Sequence, residues 1–166
     1  LLGVEREIHS AFGNLIVNTA RAMLIGGGRD NVIENNLMVD CQQSIRFDNR
    51  GLNWMKGHVT PPDGIMPKRL LAMPYRQPPW SERYPQLLTL LKDDPGSPKY
   101  NTLRWNVIYR CKPMSLAKEV TAFGKVVDNL TLEAAPGFVN AAEGDYRLRE
   151  DSSIFRKLSN FQQIPF

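Results

Sequence analysis

Asp48 is the first candidate for acid–base or binding chemistry, because two arginines flank it. The segment reads Arg46-Phe47-Asp48-Asn49-Arg50. Neighbouring cations lower the pKa of a carboxyl group, so this carboxylate suits a nucleophile, a general base or a hydroxyl acceptor better than a general acid. The alternative is that Asp48 only forms a solvated surface salt bridge with Arg50.

Arg29 and Asp30 form a second charged pair, directly after three glycines at 26–28. A glycine run can cradle phosphate when a helix follows it, but the P-loop pattern is absent and no helix is predicted here. Asp30 is therefore a candidate second carboxylate, and Arg29 a candidate ligand-positioning group. The alternative is that both side chains only satisfy backbone groups of the turn.

The chain has two histidines and two cysteines. His9 and His58 lack carboxylates or thiols at zinc-ligand spacing, so no metal or cofactor is predicted. His9 either stacks as a turn residue or faces the candidate site. Cys41 and Cys111 are expected to be buried small side chains in one stack, with a disulfide as the alternative.

Residues 51–98 contain four aromatic side chains, Trp54, Tyr75, Trp80 and Tyr84. They either stack against a ligand or form the small core that a proline-rich segment needs to stay ordered. We expect the core role for most of them. Trp54 is the expected exception, because it follows Arg50 by four residues.

A repeat of 22 residues must position these side chains. The segment at 14–19 recurs at 36–41, again at 106–111 and more weakly at 129–132. Short β-branched stretches between Asn or Gly turns at this period predict an all-β fold, a parallel β-solenoid whose strands pair with their equivalents in the next repeat. Two stacks are predicted: an inward column of Ile16, Met38, Ile108 and Thr131, and a turn ladder of Asn14, Asn36, Asn106 and Asn129.

In this arrangement Arg46 and Asp48 face outward from the strand at 44–47. The position one repeat before Asp48 is Gly26, which would leave room above the sheet for a ligand. The sequence therefore predicts a binding cleft at this point of the surface.

The whole chain, 1–166, is predicted to be one domain. It comprises two repeats at 7–50, an excursion at 51–98 with one short helix at 83–92, two further repeats at 99–133, and a C-terminal cap at 134–166. The excursion holds nine of the 12 prolines, so it cannot pair as a central strand.

Composition excludes several classes of protein. An apolar content of 42% with a net charge of +4 argues against a disordered chain. The charges are interleaved rather than clustered, which argues against nucleic-acid binding. No apolar run approaches the roughly 20 residues that cross a bilayer, so membrane insertion is not predicted.

Several motifs carry a resemblance to a known family. They read IGGGRDNVIENN at 25–36, DNRG at 48–51, PPWSERYP at 78–85, DDPGSPK at 93–99, PGFV at 136–139 and GDYRL at 144–148. With them the chain resembles the pectin-lyase-like, right-handed parallel β-helix proteins of bacteria. Within that group it is similar to the β-helix glycoside hydrolases that include xylanases and α-L-fucosidases.

The resemblance implies a right-handed parallel β-helix, of which this chain is the C-terminal part, with further repeats upstream. It implies an extracellular or periplasmic, carbohydrate-active protein, most simply a glycoside hydrolase acting on a plant or microbial polysaccharide. For such an enzyme, the residue types and their spacing give Asp48 and Asp30 as the candidate catalytic residues, and Arg29, Arg46, Arg50, Trp54 and His9 as the candidate substrate-binding residues. The alternatives are a non-catalytic glycan-binding or structural module, or a polysaccharide lyase.

Overall fold

The structure is a computed structural model that describes residues 10–165. Its strands have two to four residues each: β1 (Ser10–Phe12), β2 (Leu15–Val17), β3 (Met23–Ile25), β4 (Val32–Glu34), β5 (Leu37–Val39), β6 (Ile45–Phe47), β7 (Thr102–Arg104), β8 (Val107–Tyr109), β9 (Ser115–Leu116), β10 (Lys125–Val127), β11 (Leu130–Leu132), β12 (Phe138–Asn140) and β13 (Asp145–Leu148). Its α-helices are α1 (Lys56–Val59), α2 (Ile65–Leu71), α3 (Trp80–Arg83), α4 (Lys118–Phe123) and α5 (Ser153–Lys157). Short 3-10 turns occur at Arg50–Leu52, Pro85–Leu88, Leu90–Lys92 and Ala141–Glu143.

Eleven of these strands form three parallel sheets, in which every neighbour is the equivalent strand of the next repeat. Sheet A has the order β1-β4-β7-β10, sheet B the order β2-β5-β8-β11, and sheet C the order β3-β6-β9. In sheet B, Ile16 pairs with Met38, Met38 with Ile108, and Ile108 with Thr131. The predicted stacking of these four residues is therefore confirmed, but Thr131, at the end of the column, is exposed rather than buried.

The prediction of an all-β, right-handed parallel β-helix solenoid is wrong. The chain is a mixed α/β protein with about 25% helix and 25% strand, and its parallel strands lie in sheets A, B and C. The 22-residue repeat shows only where the strands recur. It does not predict the secondary structure of the segments between the strands and after them. Those segments contain the helices. Helices α1 to α3 lie in the excursion, α4 lies in the chain between β9 and β10, and α5 lies near the C-terminus.

The single helix expected at 83–92 is also absent. Helix α3 ends at Arg83, and two 3-10 turns follow it. Pro85 explains the break, because its ring disfavours helical backbone at the preceding residue and it has no N–H to donate. Tyr84 accordingly has φ −132° and ψ 60°.

Asparagine amides connect the repeats along one buried turn. The Nδ2 of Asn14 donates to Oδ1 of Asn36, that of Asn36 to Asn106, and that of Asn106 to Asn129, each at 2.8 Å. Asn36 and Asn106 have no exposed surface. The predicted turn ladder is thus confirmed, and Asn31 and Asn101 form a second, shorter one at 2.7 Å.

The two central strands of sheet B, β5 and β8, are buried on both faces, because the C-terminal segment packs against the outer side of the sheet. Leu37, Val39 and Val107 form one cluster with residues from β12, β13, α5 and the tail, among them Phe161 and Ile164. The cap predicted at 134–166 therefore covers the side of this sheet rather than the end of the core. Burial on both faces explains why β5 and β8 are apolar at every position instead of alternating.

The excursion is a small folded unit whose two ends meet. Leu70, Tyr75 and Leu87 form its core, with Tyr84 packed against them, so the core role predicted for these two tyrosines is confirmed. A Cβ added to Gly51 would lie 2.4 Å from the carbonyl oxygen of Gly96. This close approach requires glycine at position 51 and brings the two ends of the excursion together.

No helix among residues 10–165 has both the length and the apolar character needed to cross a membrane.

Candidate functional site

Asp48 and Arg50 form a rigid, two-pronged ion pair at the end of β6. The Nε and Nη2 atoms of Arg50 donate to the two carboxylate oxygens of Asp48 at 2.9 and 2.8 Å. The backbone N–H of Arg50 also donates to Asp48 Oδ1, at 3.2 Å. Both side chains are about three-quarters buried, so the pair is held more firmly than an ordinary surface salt bridge.

The room that Gly26 leaves above the sheet is filled by Arg50 rather than open. A Cβ at position 26 would lie 2.4 Å from the central carbon of the Arg50 guanidinium. The glycine thus lets the guanidinium lie flat against the backbone. The prediction of an open cleft at this point is therefore wrong, because the Arg50 side chain fills the space.

The charge state of Asp48 follows from these contacts. The hydrogen bonds from the Arg50 side chain lower the pKa of Asp48, and the nearby charge of Arg46 lowers it further. Arg46 itself is exposed on the outer face of sheet C. The predicted lowering of the Asp48 pKa is confirmed, and a carboxyl held in this way suits a base or a hydrogen-bond acceptor better than a general acid.

Trp54 lies beside this ion pair and is the most exposed large apolar side chain among residues 10–165. Its exposed fraction is 72%. The central carbon of the Arg50 guanidinium lies 5.5 Å from the centre of the Trp54 ring, within the range of a cation–π contact. Asp48, Arg50 and Trp54 therefore form one continuous surface, named here the Trp54 surface.

Arg29 is not free to position a ligand, because it holds the end of the excursion. Its guanidinium bonds to the carboxylate and the backbone carbonyl of Asp93 and, at 2.6 Å, to the carbonyl of Asp94. Lys99 donates to Asp93 Oδ1 at 2.6 Å and to Asp94 Oδ2 at 2.8 Å. The side chains of Arg29 and Lys99 are only 12% and 9% exposed, so this cluster is a buried anchor.

Asp30 lies in the same turn with a left-handed backbone, φ 59°. Its N–H donates to the carbonyl oxygen of Lys99 at 3.2 Å. Asp tolerates this conformation better than most residues, which accounts for its occurrence at the position. The geometry therefore supports the turn role that was the alternative for Asp30.

Two functional candidates escaped sequence reasoning because nothing local marks them. Tyr100 is 54% exposed, adopts φ 62°, and its hydroxyl lies 2.9 Å from Asp93 Oδ2. Glu119, at the start of α4, is 9% exposed and accepts a 2.8 Å hydrogen bond from Asn49. The left-handed backbone of Tyr100 could have been predicted only by aligning Tyr100 with Asp30, the equivalent residue of the preceding repeat, which has φ 59°.

Of the two histidines, only His58 lies among the described residues. His58 is exposed in α1, and His9 lies outside the described residues. Within residues 10–165, no three His, Cys, Asp or Glu side chains are grouped so that they could hold a metal ion.

No protein-family model, curated protein or solved structure matches this chain.

Acid is expected to destabilise the protein through Asp93 and Asp48. Hydrogen bonds from Lys99 and then Arg29 hold the pKa of Asp93 far below its ordinary value of 3.8, and Arg50 lowers that of Asp48. A carboxyl with a lowered folded-state pKa contributes stability that is present above its unfolded pKa and lost as the pH falls through the folded one. The urea concentration at the midpoint of unfolding should therefore fall steeply as the pH is lowered from about 4 to about 2.

The variant Asp93→Asn is the control for this prediction. It should be less stable at neutral pH and lose less on acidification. An acid slope equal to that of the unmodified protein would remove Asp93 from the explanation.

Proposed function

We propose that this chain binds a carbohydrate through the Trp54 surface, without cleaving it. The observation that carries the proposal is a tryptophan with 72% of its surface exposed, next to a fixed carboxylate–guanidinium pair. An exposed indole ring beside charged planar groups is a surface on which a flat, partly apolar ligand can stack.

The Trp54 surface offers suitable contacts for both the apolar face and the hydroxyl groups of a sugar ring. The C–H face of a pyranose is apolar and flat and packs on an indole ring, while its hydroxyls bond to charged planar groups. Asp48 offers carboxylate lone pairs as acceptors, and Arg50 offers the N–H groups that Asp48 does not use. Arg46 adds an exposed guanidinium with no hydrogen-bond partner among residues 10–165.

Binding is favoured over hydrolysis by the state of the carboxylates. Hydrolysis of a glycosidic bond needs a protonated carboxyl with a raised pKa and a second carboxylate at a set distance. The pKa values of Asp48 and Asp93 are lowered, and both side chains are bonded to cations. Carboxylates held in this way favour a binding role over the role of a general acid, which must donate a proton.

Replacing Trp54 with alanine is expected to weaken binding at least tenfold, which corresponds to about 1.4 kcal/mol of lost ring contact. The measurement is a glycan array probed with the full chain, followed by titration of the strongest ligand. Leu71→Ala, which removes a 55%-exposed apolar side chain from α2, is the matched control and should bind normally.

Three results would contradict the proposal. They are the absence of binding to any glycan, equal binding by Trp54→Ala and the unmodified chain, and the release of reducing sugar from a bound polysaccharide. The last result would restore the hydrolase interpretation and direct attention to Asp48 and Glu119.

A further inference from the structure

The two cysteines occupy equivalent turn positions on consecutive repeats, 70 residues apart, and both are free thiols. The backbone N–H of Cys41 donates to the sulfur of Cys111 at 3.1 Å. The sulfur of Cys111 therefore already lies against the neighbouring repeat. Thr19 holds the same position one repeat earlier, and its hydroxyl lies 3.4 Å from the Cys41 sulfur.

The backbone separation suits a covalent bond between them. Neighbouring parallel strands run about 4.8 Å apart, within the range of roughly 4.4–6.8 Å between the Cα atoms of disulfides. Rotation about the Cα–Cβ bond of Cys41 would turn its sulfur from Thr19 toward Cys111. Only one rotamer has to change, because the Cys111 sulfur already faces Cys41.

The surroundings of the two thiols determine which of them an oxidant reaches first. Burial, and the Cys41 thiol beside it, raise the pKa of Cys111 to about 11. A thiol of this kind is mostly protonated near neutral pH and reacts slowly. Cys111 is half-buried while Cys41 is 3% exposed, so a reagent reaches Cys111 first.

We infer that Cys41 and Cys111 form a redox staple, which closes as an intramolecular disulfide when the chain meets a low-molecular-weight disulfide. The bond would join the second and third repeats and close a chain loop that contains the whole excursion. This inference is independent of the proposed carbohydrate binding.

The exchange balances without any other reagent. The Cys111 thiolate attacks one sulfur of the small disulfide, which breaks its S–S bond and releases one small thiolate. The Cys41 thiolate then attacks the Cys111 sulfur of the mixed disulfide and releases the second small thiolate. The two cysteines are oxidised, the small disulfide is reduced to two thiols, and the two protein protons pass through solvent to those thiols.

The test is incubation of the folded full chain with oxidised glutathione at pH 8.5, followed by intact-mass measurement and peptide mapping. We expect the loss of two hydrogens with no glutathione attached, and one cross-linked peptide containing both cysteines. The cross-link should raise the Tm by on the order of 10 °C relative to the reduced chain, as a long closed loop predicts.

Cys41→Thr is the matched control, because threonine is the residue that the chain itself uses at this position in the preceding repeat. This variant should stop at a single glutathione adduct on Cys111, since the resolving thiol is gone. A stable adduct on Cys111 of the unmodified chain, a cross-link between two chains, or two thiols that stay free after prolonged incubation would each overturn the inference.

Discussion

Replacing Asn106 with alanine is expected to lower the free energy of unfolding by about 4 kcal/mol, since each buried group left without a partner costs about 1–3 kcal/mol. The Oδ1 of Asn106 accepts from the backbone and side-chain nitrogens of Asn36. Its Nδ2 donates to the carbonyl of Ile33 and to Asn129. Asn106 has no exposed surface, so water cannot take over these bonds.

Urea denaturation measures this effect, and Asn14→Ala is its control. Asn14 is the first member of the same ladder, but it is exposed, and among residues 10–165 its side chain donates only to Asn36 and Phe12. Its replacement should cost less than about 1 kcal/mol. Equal losses for the two variants would show that the ladder is not the source of the stability.

Replacing Asp93 with alanine is expected to loosen the excursion and to cost about 2–3 kcal/mol, because it leaves two largely buried cations without their main partner. Arg29 and Lys99 both bond to Asp93, and Asp94 retains one contact with each of them. The excursion should then be cleaved faster by trypsin than the repeats, at one of its exposed lysines or arginines.

Asp151→Ala is the control for Asp93→Ala. Asp151 pairs with Arg149 at 3.3 Å, and both side chains are more than half exposed, so this pair contributes little. Asp93 does not anchor the excursion if Asp93→Ala leaves both the urea midpoint and the rate of tryptic cleavage within error of the Asp151→Ala values.

The repeat made the strand register predictable, because equivalent residues occupy equivalent environments. The 22-residue spacing was enough to predict that Ile16 pairs with Met38 and that Asn14 stacks on Asn36. The helices were not predictable in this way. Helices of four to seven residues, such as α1 and α2, are too short for an apolar period to emerge.

The burial of sheet B could have been anticipated, although its cause could not. Leu37-Met38-Val39 is apolar at three successive positions, which indicates a strand buried on both faces. The C-terminal segment that covers it is held in part by a bond from the Gln162 N–H to Asn35 Oδ1, across 127 residues. No local pattern carries information over that distance.

The candidate site was predictable in its residues and less so in its arrangement. Asp48, Arg50 and Trp54 are close in sequence, and they are close in the structure as well. The position of the Arg50 guanidinium over Gly26 depends on the rotamers of a long side chain. The partner of Arg29 lies 64 residues away, at Asp93, where the excursion returns.

The most direct measurement of the central claim is the indole N–H spectrum of the 15N-labelled chain during titration with xylan, galacturonan and glucan oligosaccharides. The chain has three tryptophans and so gives three indole signals, which a Trp54→Phe variant assigns in part. Carbohydrate binding on the Trp54 surface predicts that the Trp54 signal moves with a saturable dependence on one of these ligands, while those of Trp80 and Trp105 stay in place. A Trp54 signal that none of the ligands moves, or movement confined to the other two tryptophans, would contradict it.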